Sequence, residues 1–245
     1  MITSGARFAF FALTALLLAG CAGKVRYPDY YMLALAPSKV AAGNEGYKLP
    51  AVAVQRFETP AYLRQGRIVY RQTPEQIGFY EYHRWVSDPG QVVTTAMIDS
   101  VRAAGVFSTV QTYDGQAHVP YVLQGRLEHL DEVDYENGVR VEVRLFAQLL
   151  DTKTGTAIWA GDTTKNIIVE RRQVRSVVQA MGQATQDGVE QLVQDLRKQL
   201  FATTVAADKS TISKAAKITP QSLSAEAASS RATVPKASYS PVLGR

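Results

Sequence analysis

Between Val139 and Leu149 every second residue is apolar: Val139, Val141, Val143, Leu145, Ala147 and Leu149. Successive strand side chains point to opposite faces, so this spacing describes one long strand with a single buried face. Just before it stands Glu136-Asn137-Gly138, and Asn-Gly accepts the positive φ angles of a tight hairpin turn. Residues 121–130 alternate through Tyr121, Leu123 and Leu127 on the near side of that turn. Residues 151–155 make the next turn, and 157–168, carrying Trp159, make a third strand. The spacing predicts an antiparallel meander. A sheet with one apolar face needs a cover. Residues 173–200 supply one: Val174, Val178, Met181, Thr185, Val189, Leu192, Leu196 and Leu200 fall on one side of a helix, with Gly188 on the same stripe, where a backbone approaches closely.

The first half of the chain adds shorter elements. Residues 30–36 and 51–57 read as strands, the second ended by Pro60. Residues 67–72 and 76–85 flank Pro74-Glu75 and predict a hairpin. In its second arm Ile77, Phe79, Glu81, His83 and Trp85 would share one face, and Gly78, Tyr80, Tyr82 and Arg84 the other. A helix over 89–104 is well marked. Asp88 is a good N-cap, Pro89 suits the first helical position, and Gly105 suits the C-terminal cap. Val92, Val93, Ala96, Met97, Val101 and Ala104 form its apolar stripe. A further strand is expected at 107–113. The fold class is therefore α+β: one compact domain with a mixed, mainly antiparallel sheet, a C-terminal three-strand meander, and two main helices at about 89–104 and 173–200.

The chain has 245 residues and one cysteine, and that cysteine ends an apolar run. Arg7 precedes a run over 8–18, followed by Leu18-Ala19-Gly20-Cys21. A basic start, an apolar core and small residues before a cut describe a secretory signal. The run is about half the ~20 residues that span a bilayer. Leu-Ala-Gly-Cys resembles the lipobox of bacterial lipoproteins. That resemblance implies cleavage after residue 20, with S-diacylglycerol and an N-acyl chain on Cys21 as the only covalent additions and no cofactor. Ala22 follows, where Asp tends to retain lipoproteins at the inner membrane. The sorting position thus points to the outer membrane, with the polypeptide facing the periplasm. Residues 21–29 form the lipidated cysteine and its tether, 30–201 the α+β domain, and 202–245 a basic tail. The tail is Ala, Ser, Thr and Lys with scattered prolines and reads as disordered.

The net charge of +5 does not describe the domain. Between Ala22 and Phe201 the basic and acidic residues number 20 each, so the excess sits in the signal and the tail. A neutral, secreted domain is not a nucleic-acid binder. Catalytic patterns are sparse. No Gly-x-Ser-x-Gly elbow or phosphate-cradling glycine loop occurs, and the one cysteine is committed to lipid. Glu128-His129-Leu130-Asp131 is the densest ligand-like cluster. On a regular strand Glu128 and His129 point to opposite faces and would not grip one metal, so a solvated strand end is expected. Asp131-Glu132 reads as a turn pair. A carboxylate pair for hydrolysis needs no sequence signature and stays open.

Residues 62–85 are rich in aromatics and arginines, the composition of interface anchors and of aromatic cores alike. Tyr62, Leu63, Tyr70, Tyr80, Tyr82 and Arg84 are the candidate partner-binding residues. The ordered motifs also resemble a known family: the lipobox, Tyr30-Tyr31-Met32-Leu33, Val52, Val54, Phe57, Pro60, Tyr62-Leu63, Arg67-Ile68-Val69-Tyr70-Arg71, and Tyr82-His83-Arg84-Trp85 before Asp88-Pro89. They are similar to the ABC-type transport auxiliary lipoprotein family, the group that includes the paraquat-inducible pathway lipoprotein. Val86 departs from the small residue expected after Trp85. The resemblance implies a non-enzymatic outer-membrane lipoprotein that docks an Mce-domain, periplasm-spanning protein of an ABC system for lipid or hydrophobic solute, with a homo-oligomer around that partner as a further implication. The alternative from a different class is a regulator or assembly factor of a periplasmic cell-envelope enzyme.

Overall fold

The computed structural model describes residues 25–40, 48–115, 118–135 and 138–216. Cys21, Ala22 and the Glu136-Asn137 pair lie outside the described residues, as does the tail from 217 onward. Contacts divide the chain into two units, Met1–Arg197 and Lys198–Arg245.

The first unit is built on the expected meander. β6 (Tyr121–Tyr135), β7 (Gly138–Asp151) and β8 (Ala157–Val169) pair in antiparallel order. All six alternating apolar residues of β7 are buried, Val139 through Leu149. The β7–β8 turn is set by the Asp151 carboxylate, which accepts from the backbone N–H groups of Lys153 (2.8 Å) and Thr154 (3.2 Å), and by Gly155 at φ 69°.

The other edge of β6 is shared by two segments. β2 (Val52–Val54) pairs with residues 121–123, and β3 (Arg67–Thr73) with residues 131–133, both in parallel. Between them Glu58 forms a parallel bridge to Arg126, and a 3₁₀ turn, Leu63–Gln65, leads into β3. From these two footholds the sheet forks. β5 (Val110–Thr112) lies outside β2, while β4 (Gln76–Trp85) and then β1 (Asp29–Tyr31) lie outside β3. The sheet thus has eight strands and is mixed, with its antiparallel pairs the longer ones.

Helix α1 (Pro89–Ala104) has the expected bounds and caps. Asp88 Oδ1 accepts from the Gly90 N–H at 2.7 Å, and Gly105 closes the helix at φ 67°. Thr94 fixes the helix to the sheet: its hydroxyl accepts from the Phe57 N–H (2.9 Å) and donates to the Gly90 carbonyl (2.7 Å). Helix α2 (Val174–Ala216) covers the meander with its residues up to 197. A Cβ at Gly188 would stand 2.9 Å from Leu145 Cδ1, which is the close approach the glycine permits, and Thr163 donates to Gln191 Oε1 at 3.0 Å.

Five elements differ from expectation. β2 keeps only Val52–Val54 of the strand expected over 51–57. β1 stops at Tyr31, because its partner β4 ends at Trp85 where the chain turns toward the α1 cap. β5 is confined to the three residues that face β2. β6 continues through the acidic stretch 131–134 to Tyr135. α2 runs past residue 201 into the stretch read as disordered tail, and residues 198–216 of the second unit are helical throughout. No proline or glycine occurs between Gly188 and Pro220, and Ala and Lys favour helix, so nothing in the backbone chemistry stops it at 201.

Candidate functional site

The six residues singled out on the aromatic segment do not make one surface. Leu63 is 1% exposed and belongs to the core, so it is unavailable to a partner. Tyr62 turns its hydroxyl to the Glu128 carbonyl, donating at 2.9 Å, and lies 3.4 Å from His129 Nδ1. Burial, reinforced by the Asp131 carboxylate, raises the Tyr62 phenol well above its usual range. Tyr80 goes to the opposite face and donates to Glu132 Oε2 at 2.6 Å. Burial and that hydrogen bond raise its phenol likewise. Tyr70 meets Tyr80 edge-on at 5.3 Å, its ring filling the space above Gly78. The Arg26 guanidinium lies 4.6 Å from the Tyr82 ring centroid. Arg84 is half-exposed opposite Arg67.

The two-face reading of β4 fails for a definite reason. Val69 faces Phe79 and Arg67 faces Arg84, so β4 carries extra residues between those pairs. The resulting bulge brings Tyr80 and His83 into contact at 5.5 Å, although simple alternation separates them.

Asp131 and Glu132, read from sequence as a turn pair, lie within β6, both fully buried and on opposite faces. Asp131 stands opposite Glu142 of β7, and Arg71 holds both: Nε is 2.9 Å from Asp131 and Nη2 is 2.7 Å from Glu142. Burial alone would lower the Arg71 guanidinium; Glu142 and Asp131 more than reverse this and raise it. His129 Nδ1 lies 3.1 Å from Asp131. On the other face Glu132 is held by Tyr80 and by Arg172 at 3.1 Å, and Arg172 also reaches Asp134 at 2.8 Å. A second bulge, between Leu127 and His129, upsets the expected alternation there as well. Glu128 pairs with Arg144 (3.2 Å) and Arg126 (3.1 Å). These are structural ion pairs: each carboxylate is engaged by at least one arginine. Among the described residues no group of three or more metal-ligating side chains is placed to hold an ion.

A different feature has the shape of a binding site. After β1 the chain leaves the sheet and crosses α2 as a strap, residues 32–38. Leu33 is buried, and a Cβ at Gly182 would come within 2.5 Å of the Ala34 carbonyl oxygen, so glycine lets the strap lie directly on the helix. Beyond it the Lys39 N–H donates to Glu190 Oε1 at 2.9 Å, and Gln186 Nε2 braces the same oxygen at 2.6 Å. Held on α2, the strap stands apart from α1. The gap is a groove of about 670 Å³ whose apolar walls are Met32, Leu33 and Leu35 on one side and Val92, Ala96 and Ala103 on the other, with Gln91, Thr95, Asp99 and Gln186 among its polar lining. Val92 and Ala96 were legible as part of an apolar stripe, but they face this groove, whereas Val93, Met97, Val101 and Ala104 fill the core. The groove itself had no sequence signal, since 30–36 reads as a strand.

A family model described as the ABC-type transport auxiliary lipoprotein component matches residues 31–207. No curated protein matches the chain. Among solved structures, a protein from Xanthomonas campestris is similar with a TM-score of 0.62 at 14% identity, over 72% of this chain and 98% of that one. An uncharacterised protein is similar with a TM-score of 0.53 at 14% identity, over 70% and 99%. At these identities the likeness is one of fold.

Proposed function

The chain belongs to the ABC-type transport auxiliary lipoprotein family, and from that premise we propose that it is a non-enzymatic, periplasm-facing adaptor held on the outer membrane by lipid on Cys21. The system it serves moves lipid or another hydrophobic solute, and its docking partner is an Mce-domain protein that bridges the periplasm. The observation that carries this reading is the apolar groove beside the N-terminal strap, set in a fold whose buried acidic groups are tied up in ion pairs. Such a site suits holding or handing over an apolar group, not bond cleavage. The strap at 32–38 begins eleven residues after Cys21 in sequence. That short separation in sequence supports a groove and an anchor that work at the same membrane. Of the hairpin residues, Tyr70, Tyr80, Tyr82 and Arg84 are half-buried and keep part of their surface free for the partner.

Affinity purification of the tagged, acylated protein from envelopes after mild crosslinking tests this. The permease, the ATPase and an Mce-domain protein are expected to co-elute, and to be lost with Cys21→Ser. Recovery of a peptidoglycan enzyme in their place would overturn the adaptor reading in favour of a regulator.

A further inference from the structure

We propose that the groove between the strap and α1 takes one acyl chain of a lipid from the membrane that anchors the protein. This rests on the anchored-adaptor reading above. Three observations support it. The first is size and lining: about 670 Å³ lies within the usual range for small-ligand sites, and the walls are Met32, Leu33, Leu35, Val92, Ala96 and Ala103. The second is charge. No lysine or arginine lines the groove, and its one carboxylate, Asp99, is engaged by Arg102 at 3.0 Å. Neutral Ser38, Ser87, Gln91, Thr95, Ser100 and Gln186 complete the lining, so no cation is there to hold a phosphate or carboxylate, and the occupant is an apolar tail whose charged head stays outside.

The third is position. The segment leading into the strap carries a row of exposed apolar and aromatic side chains: Val25 (70% exposed), Tyr27 (79%), Tyr30 (63%) and Met32 (65%). Val86 (61%) joins it through its N–H, which donates to the Tyr31 carbonyl at 2.8 Å. Tyrosines with aliphatic neighbours are the side chains that settle at a membrane interface, ring in the apolar layer and hydroxyl in water. The row begins four residues from Cys21 and ends on Met32, which is itself a wall of the groove. A bilayer covering this row brings its acyl layer to the mouth of the groove. A tail then has a short path from membrane to protein past Met32.

The test uses the acylated full-length chain in vesicles of phosphatidylethanolamine and phosphatidylglycerol, with a trace of phospholipid bearing a mid-chain diazirine. After photolysis the labelled peptides are mapped by mass spectrometry. Label is expected on the peptides spanning 32–38 and 91–103. It should fall at least tenfold in Ala96→Trp, whose indole projects into the groove and narrows it, with the melting temperature retained. Val92→Trp replaces that variant should it not fold. Label confined to residues 25–31, or equal in wild type and groove variants, overturns the proposal. So does label that enters the groove only in Cys21→Ser, which would show that the protein's own anchor occupies it. A change of oligomeric state in Ala96→Trp with labelling unaltered makes the groove a contact between copies and also overturns it. Transporter subunits that co-purify with a wild-type protein whose groove takes no label would refute the acyl site alone and leave the adaptor reading standing.

Discussion

Arg71 and Arg172 show what the charged residues of this domain are for. Each spans two carboxylates, one of them fully buried, and so makes it feasible for β6 to carry acids through the middle of a sheet. That role was not legible in the sequence, where Asp131-Glu132 looks like turn chemistry. Arg71, Tyr80 and Arg172, which hold the pair, come from 40 or more residues away along the chain, and pairing at that distance leaves no local mark. Tyr80 gives a measurable consequence. Its O–H donates to a buried carboxylate, a type of hydrogen bond that contributes about 1.5–3 kcal/mol, so Tyr80→Phe should be less stable by that order at neutral pH. The folded phenol ionises above the usual value of 10.0, whereas the unfolded one ionises near it. Tyr80 therefore stabilises the fold fully below about pH 10, and less as the pH rises beyond that and the unfolded chain gives up its proton first. Urea denaturation at stepped pH should show the gap between wild type and Tyr80→Phe constant from neutral pH to about pH 9 and narrowing above about pH 10. A gap that widens in alkali would contradict this assignment.

Among the elements, those with strong local signals were readable and those set by a distant partner were not. Helix α1 has its cap, its first-turn proline and its closing glycine in sequence, and its bounds follow directly. β7 is fixed by its alternation. The strap is the opposite case. Residues 32–36 are apolar enough for a strand, but β4 has ended, and Gly182 offers a helix surface on which to lie. The two bulges, in β4 and in β6, also escaped, because a bulge breaks the same alternation by which a strand is recognised. Gly182 is the test at this scale. Gly182→Leu places side-chain atoms where the Ala34 carbonyl now sits, so the strap must lift. Forced overpacking of this kind costs about 1–3 kcal/mol. Hydrogen exchange should speed up over residues 32–40 while β7 keeps its protection. Unchanged exchange in the strap would show that Gly182 does not hold it.

At the scale of the whole molecule, the meander, its covering helix and the α+β class all follow from periodicity. The fork does not: β2 and β3 both join one edge of β6 in parallel from far upstream, and parallel pairing between distant segments has no turn to announce it. The fork nevertheless shapes the candidate site. It carries β4 and β1 outward on one arm, and β1 delivers the strap to the gap beside α1. The proposed anchor residue, the exposed N-terminal row and the strap wall of the groove then follow one another within residues 21–38. The central claim is that this arrangement lets an anchored domain assist an ABC system in moving an apolar cargo. It is tested most directly by lipid transfer between two vesicle populations, donors holding the permease, ATPase and Mce-domain protein, and acceptors holding the acylated chain. With ATP present, fluorescent phospholipid should exchange between them several-fold faster than with bare acceptors, and Cys21→Ser added to bare acceptors should give no gain. Exchange that proceeds at one rate whether or not the acylated chain is present would contradict the account.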